Sequence, residues 1–142
     1  MLTKKDIEKI SRKTNKETKK RTKFESKVEI YMTNLKPMTY AILWPRWPFK
    51  SVKRWDLIYY KANFHDFHLE KTFNSYKEFK KFKKENLRKI TEFEMYKLKE
   101  SNKFNNHFKI TDVEDTKLSA NEIYEMDYLL KNFFKKRNNN YE

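Results

Sequence analysis

Apolar residues along this chain switch between a period near 3.6 and a period of two, and each switch marks an element. Thr3 to Lys23 offers only Ile7 and Ile10 as an apolar pair at helical spacing, with Thr3 placed to cap and an acid in the first turn. A segment with so narrow a stripe has little to bury, so residues 1–23 are expected as a basic arm or a weak helix. From Phe24 the period is two. Val28, Ile30 and Met32 alternate with Glu29, Tyr31 and Thr33, and Tyr40, Ile42 and Trp44 alternate with Ala41 and Leu43. Asn34-Leu35-Lys36-Pro37 supplies a turn between them, and Arg54 to Lys61 reads as a third strand.

Ser75 with Glu78 forms a capping-box pattern, after which Tyr76, Phe79, Phe82, Leu87 and Ile90 recur near helical spacing. The helix is expected to run on toward Leu98, although Thr91 to Lys99 fits a strand equally well. Residues 101–118 read as a polar loop anchored by Phe104, Phe108, Ile110 and Val113. Ser119 and Glu122 form a second capping-box pattern, opening a helix with Ile123, Met126, Leu130 and Phe133 on one face. The expected fold is therefore α+β: a short three-stranded antiparallel sheet packed by two or three helices, a single domain over residues 24–137, and a frayed tail over 138–142.

Composition narrows the chemistry. None of the 142 residues is glycine and none is cysteine. Without glycine there is no P-loop, dinucleotide fingerprint, nucleophile elbow or KH-type clamp, because each needs positive φ or a close backbone approach to phosphate. Without cysteine there is no disulfide framework, thiol catalysis or thiolate zinc site. Mean hydropathy is -1.11. Aromatic residues nevertheless reach 17%, enough large rings to build a compact core. No stretch approaches 18 consecutive apolar residues, and Met1-Leu2-Thr3-Lys4-Lys5-Asp6 leads into charge, so a soluble cytoplasmic protein without membrane contact is expected. Abundant Lys, Asn, Ile, Phe and Tyr with little Ala suggests AT-rich codons, as in a phage, plasmid or other mobile element of low-GC origin.

Lysine and arginine outnumber aspartate and glutamate 34 to 20, and 28 of those cations are lysine. Residues 1–27 carry net +7 and residues 71–89 net +6, while residues 112–130 carry net -5. A chain so divided should present a positive face to a polyanion. On the second helix Lys77, Lys80, Lys81, Lys83, Lys84 and Arg88 fill the positions the rings leave. They would neutralise phosphates with little base discrimination, or simply form a solvated outer face. In the first segment Arg12, Lys13, Lys19, Lys20 and Arg21 would extend the contact. Trp44-Pro45-Arg46-Trp47-Pro48-Phe49-Lys50, followed by Lys53, Arg54 and Trp55, interleaves rings with cations. Arg46, Trp47, Lys50, Lys53 and Arg54 could there meet bases or backbone, with Trp44 and Trp55 read instead as inward strand residues.

His65-Asp66-Phe67-His68, with Asp56, Glu70 and His107, is compatible with a metal site, but the run reads as a loop and a site is not expected. Asp66 with Glu78 and Lys80 echoes the spaced acids and lysine of a nuclease, yet Glu78 is better used as a cap and Lys80 on the basic face. A helix, three strands and a helix carrying Lys80-Lys81-Phe82-Lys83-Lys84 looks like the element order of a double-stranded RNA-binding domain. Strands followed by Thr72-Phe73-Asn74-Ser75-Tyr76-Lys77-Glu78-Phe79 resemble the sheet-to-helix passage of arm-binding integrase domains. No residue role is carried over from either.

The expected function is binding without catalysis, cofactor, metal or small-molecule substrate: a small basic nucleic-acid-binding protein gripping the phosphate backbone. An inhibitor encoded by a phage, plasmid or other mobile element and docking on a host protein or nucleoprotein machine, in the manner of an anti-CRISPR, suits the same composition. So does a ribosomal or ribonucleoprotein structural component.

Overall fold

The computed structural model describes residues 3–34, 39–48, 51–61, 66–103 and 117–139, with the side chains of 9–15, 17, 66, 103 and 137–139 outside that set. Helix α1 spans Lys4–Glu25, strands β1 to β4 span Glu29–Thr33, Thr39–Arg46, Arg54–Lys61 and Asp66–Phe73, and helix α2 spans Tyr76–Asn86. Strand β5 (Leu87–Lys89), helix α3 (Glu92–Lys103) and helix α4 (Ala120–Asn139) follow. The Asn34 to Pro37 turn lies largely outside the described residues, as do the four anchors expected between 104 and 113.

The sheet corrects the three-strand expectation. Five antiparallel strands pair in the order β4-β3-β2-β1-β5. Strand β4 falls in a run read as a loop. Its alternation is broken by a bulge: Ile58 faces Leu69 but Leu57 faces Lys71, leaving Glu70 as the extra residue. Phe67 and Phe73 share sequence parity yet belong to different cores because of it. Strand β5 is cut from what reads as one long helix. The helix ends at Asn86, and Leu87, Arg88 and Lys89 pair with Thr33, Met32 and Tyr31 of β1. Thr91 then caps a new helix: Glu94 N–H donates to Thr91 Oγ1 at 3.1 Å and the Glu94 carboxylate accepts from Thr91 N–H at 3.0 Å. With four strands between the first two helices and a fifth after them, the element order departs from a helix, three strands and a helix.

Each sheet face has its own core. On one, Ile30, Met32, Tyr40, Ile42, Trp44, Ile58, Tyr60 and Phe67 pack under Met95 and Leu98 of α3 and Ile123, Met126, Leu130 and Phe134 of α4. Phe134 is buried where Phe133 was expected, and Phe133 packs beside it half-buried. On the other, Ala41, Leu43, Leu57, Tyr59, Phe73 and Leu87 pack against Phe79 of α2. Burying each large side chain contributes about 1.5–3 kcal/mol relative to leaving it in water. Before α4, Lys117 takes φ 58°, a left-handed conformation that costs a non-glycine residue about 1–2 kcal/mol. Among the described residues no helix is long and apolar enough to cross a membrane.

Candidate nucleic-acid interface

Helix α2 begins where Ser75, in extended geometry, accepts the Glu78 N–H on its Oγ at 3.2 Å. That fixes the phase of the helix on the sheet. Tyr76, Phe79 and Phe82, three apart, turn inward, Phe79 being fully buried, and Lys77, Lys80, Lys81 and Lys84 stay exposed, with Lys83 half-buried. Beneath them lies a continuous run of rings. Trp47 meets Phe24 at 5.9 Å between centroids, Phe24 meets Trp55 at 5.8 Å, Trp55 meets Tyr76 at 6.2 Å and Tyr76 meets Phe79 at 5.7 Å. From Phe79 the run branches to Tyr31 at 5.8 Å and to Phe73 at 5.6 Å, and Phe73 touches Phe82 at 5.4 Å.

Four ammonium groups sit on this run. Lys53 lies 4.5 Å from the Trp47 centroid and 4.8 Å from that of Phe24. Lys80 lies 5.4 Å from Tyr76, Lys83 4.9 Å from Tyr31, and Lys71 5.2 Å from Phe73 and 5.4 Å from Phe82. Ring faces attract cations, so each contact restricts an otherwise mobile side chain and holds its charge at one place. Contacting rings join all four seats. No described carboxylate pairs with them or with Lys77, Lys81 and Lys84.

One carboxylate underpins the surface without neutralising its rim. Glu29 Oε1 accepts from the Tyr31 hydroxyl and, at 2.9 Å, from the Tyr76 hydroxyl. Burial first, and the bond to Glu29 next, push both phenols above their ordinary range, so both rings stay neutral hydrogen-bond donors.

The arginines are placed differently from the lysines. On the α3/α4 side of the sheet Arg46 stacks 3.8 Å over Trp44 and reaches three carboxylates: Glu122 at 2.8 Å, Asp56 at 3.5 Å and Glu25 at 3.8 Å. Arg54 Nε lies 3.5 Å from the same Asp56, and Arg88 pairs with Glu94 at 2.6 Å. These guanidiniums hold the fold together, so their charge is already matched. Lys19 and Lys20 are exposed and Arg21 half-exposed on α1; the side chains of Arg12 and Lys13, and all of Lys50, lie outside the described residues.

Trp44 is buried, Trp55 half-buried in the ring run, and Trp47 half-buried beneath Lys53. Reading by sequence missed Lys71, Tyr31 and Glu29 as parts of the surface. Only recognition of β4 and of the shared face of β1 and β3 would have found them.

Among the described residues no group of three or more His, Cys, Asp or Glu could hold a metal ion. His65, His107 and the Asp66 side chain lie outside them. Asp56 is occupied by Arg46, Arg54 and the Thr72 hydroxyl at 2.8 Å, and His68 pairs with Glu70 at 3.1 Å. No protein-family model, no curated protein and no solved structure matches the chain.

Proposed function

We propose that this chain is a non-enzymatic nucleic-acid-binding protein that grips the phosphate backbone through α2 and the adjoining ring-seated lysines. One observation carries the reading: Lys53, Lys71, Lys80 and Lys83 rest on one contiguous aromatic run, unpaired among the described residues. Ammonium groups fixed in this way are phosphate ligands that lose little side-chain freedom on binding. Lysine lacks the planar fork that reads guanine, so binding is sequence-tolerant. Anisotropy titrations with single-stranded DNA, duplex DNA and RNA across salt test it. Log affinity should fall linearly with log salt. Replacing Lys80, Lys81, Lys83 and Lys84 together with alanine should make the single-strand slope shallower by roughly 3, at about 0.7 per phosphate contact. Absence of binding near 50 mM salt rejects the reading.

A second reading rests on exposed rings elsewhere. Phe93 and Tyr96 on α3 are 67% and 58% exposed, and Tyr124 and Tyr128 on α4 are 58% and 65% exposed. Large exposed aromatics are typical of protein docking surfaces, which favours the inhibitor alternative. Capture of one defined host protein after nuclease treatment, abolished by Tyr124→Ala with Tyr128→Ala, would favour it over backbone binding.

A further inference from the structure

A cleft of about 740 Å³ opens between the C-terminal half of α1 and α4, and Trp44 contributes to its lining. Clefts of that volume hold drug-sized ligands. Trp44 is 1% exposed, and its indole Nε1 is buried without a hydrogen-bond partner among the described residues. An unmatched buried N–H costs free energy, and native structures rarely keep one without a purpose. The exposed ring of Tyr128 and the half-buried side chain of Asn132, both on α4, line the same cleft. Lys19 and Lys23 on α1 and Lys136 on α4 add three exposed ammoniums, none paired with a described carboxylate.

We propose that this cleft takes one unstacked nucleotide of a single strand. The base lies against Tyr128, an acceptor of the base or sugar meets Trp44 Nε1, the Asn132 amide pairs with the base edge, and the phosphate faces the three ammoniums. The inference rests on the nucleic-acid reading above and extends it to a second surface. Phe24 seats the Lys53 ammonium at one end of the ring run, while its neighbours Lys23 and Glu25 line the cleft. A strand therefore passes from one surface to the other across the last turn of α1. An acidic peptide would meet the same ammoniums but would give Tyr128 no planar partner. The Trp44 N–H is closed to water in the free protein, so an acceptor reaches it only as the cleft side chains part around a ligand.

Nitrogen-15 spectra of the full chain test this directly, since three tryptophans give three indole signals and Trp44→Phe identifies one of them. Titration with a nucleoside 5′-monophosphate should shift the Trp44 indole saturably, and inorganic phosphate should not. Tyr128→Ala and Asn132→Asp should each weaken that response about five-fold or more, with unchanged thermal unfolding confirming intact folds. Glu125→Gln removes an exposed carboxylate from the lining and should strengthen binding about two-fold. A stationary Trp44 indole, with oligonucleotide still binding through α2, overturns the cleft proposal and leaves the backbone reading standing. The same shift produced by inorganic phosphate or polyglutamate also overturns it. Loss of oligonucleotide binding with the nucleotide shift intact would instead remove the backbone reading and keep the nucleotide site.

Discussion

Arg88 and Glu94 meet across the turn from β5 into α3 as a two-pronged pair, Nη1 to Oε1 at 2.8 Å and Nη2 to Oε2 at 2.6 Å. The same carboxylate accepts from Thr91 N–H and hydroxyl, so one side chain closes the helix cap and fixes the strand before it. Arg88 chiefly, with Thr91 behind it, holds the Glu94 carboxyl at about 2 against an ordinary 4.5. A depressed folded value means the stabilisation is complete above about pH 4.5 and is lost as pH falls toward 2. Glu94→Gln should cost about 1 kcal/mol at neutral pH and flatten the acid limb of stability over that window, read as Tm at pH 7 and pH 3. Arg88→Ala should lower stability similarly while leaving nucleic-acid affinity within two-fold.

Alkali should act in the opposite sense through the tyrosines. Burial is the first cause raising Tyr31, Tyr40, Tyr59, Tyr60 and Tyr76, and Tyr40, whose hydroxyl donates to the Glu94 carbonyl at 2.7 Å, is pushed up to about 12. For raised groups the stabilisation is whole below the unfolded value of 10.0 and disappears as pH climbs through the folded one. Tyrosinate absorbance from these five should therefore appear together with loss of helical circular dichroism, beginning between about pH 10 and 12. Ionisation of these five phenols while the helical signal persists would contradict this. Tyr40→Phe should cost about 1 kcal/mol at neutral pH by removing the bond to α3.

Arg46 gathers carboxylates from three elements: Glu25 ends α1, Asp56 lies in β3 and Glu122 opens α4. Burial alone would raise Glu122, but hydrogen bonds from Arg46 and from Ser119 N–H outweigh it and hold the carboxyl below its usual range. Arg46→Ala leaves Asp56, 2% exposed, with Arg54 as its one ion-pair partner among the described residues, and should cost about 3 kcal/mol in urea unfolding. Arg46→Lys should recover little of it, since an ammonium cannot stack on Trp44 and fork toward three carboxylates. Limited trypsin digestion should then cut α1 modestly faster, because the last turn keeps the Trp47 N–H bond to Glu25 at 3.2 Å and the Phe24 ring contacts but loses the ion pair.

Much of this architecture was legible because burial follows period. Val28, Ile30 and Met32, then Tyr40, Ile42 and Trp44, face one core as alternation requires, and Ser75 and Ser119 cap the helices assigned to them. The misses have physical causes. Leu87 and Ile90 continue the helical phase of Tyr76, Phe79 and Phe82, so period alone joined α2 to α3, although Thr91 and Glu94 spelled a capping box between them. Strand β4 stayed hidden because its bulge at Glu70 reverses which parity faces inward. Charge runs located the cations, but pairing is a tertiary property. Sequence could not separate Arg46, Arg54 and Arg88, paired with carboxylates of the fold, from Lys80 and Lys83 on their rings.

Lys53 and Trp47 separate the two roles this surface assigns to charge and to rings. The ammonium lies 4.5 Å from the indole centroid, with Phe24 as a second seat at 4.8 Å. If the ring serves to hold the charge, Trp47→Ala leaves the number of phosphate contacts unchanged but frees the lysine side chain. Affinity for a single strand should then fall about three- to five-fold at every salt concentration, as expected for roughly 1 kcal/mol of lost ordering, and the slope against log salt should stay the same. Lys53→Ala removes the contact itself, so the slope should become shallower by about 0.7. Anisotropy of one labelled oligonucleotide across salt reads both quantities. A slope change in Trp47→Ala equal to that in Lys53→Ala would mean the ring does not merely seat the charge but sets whether the phosphate is reached at all.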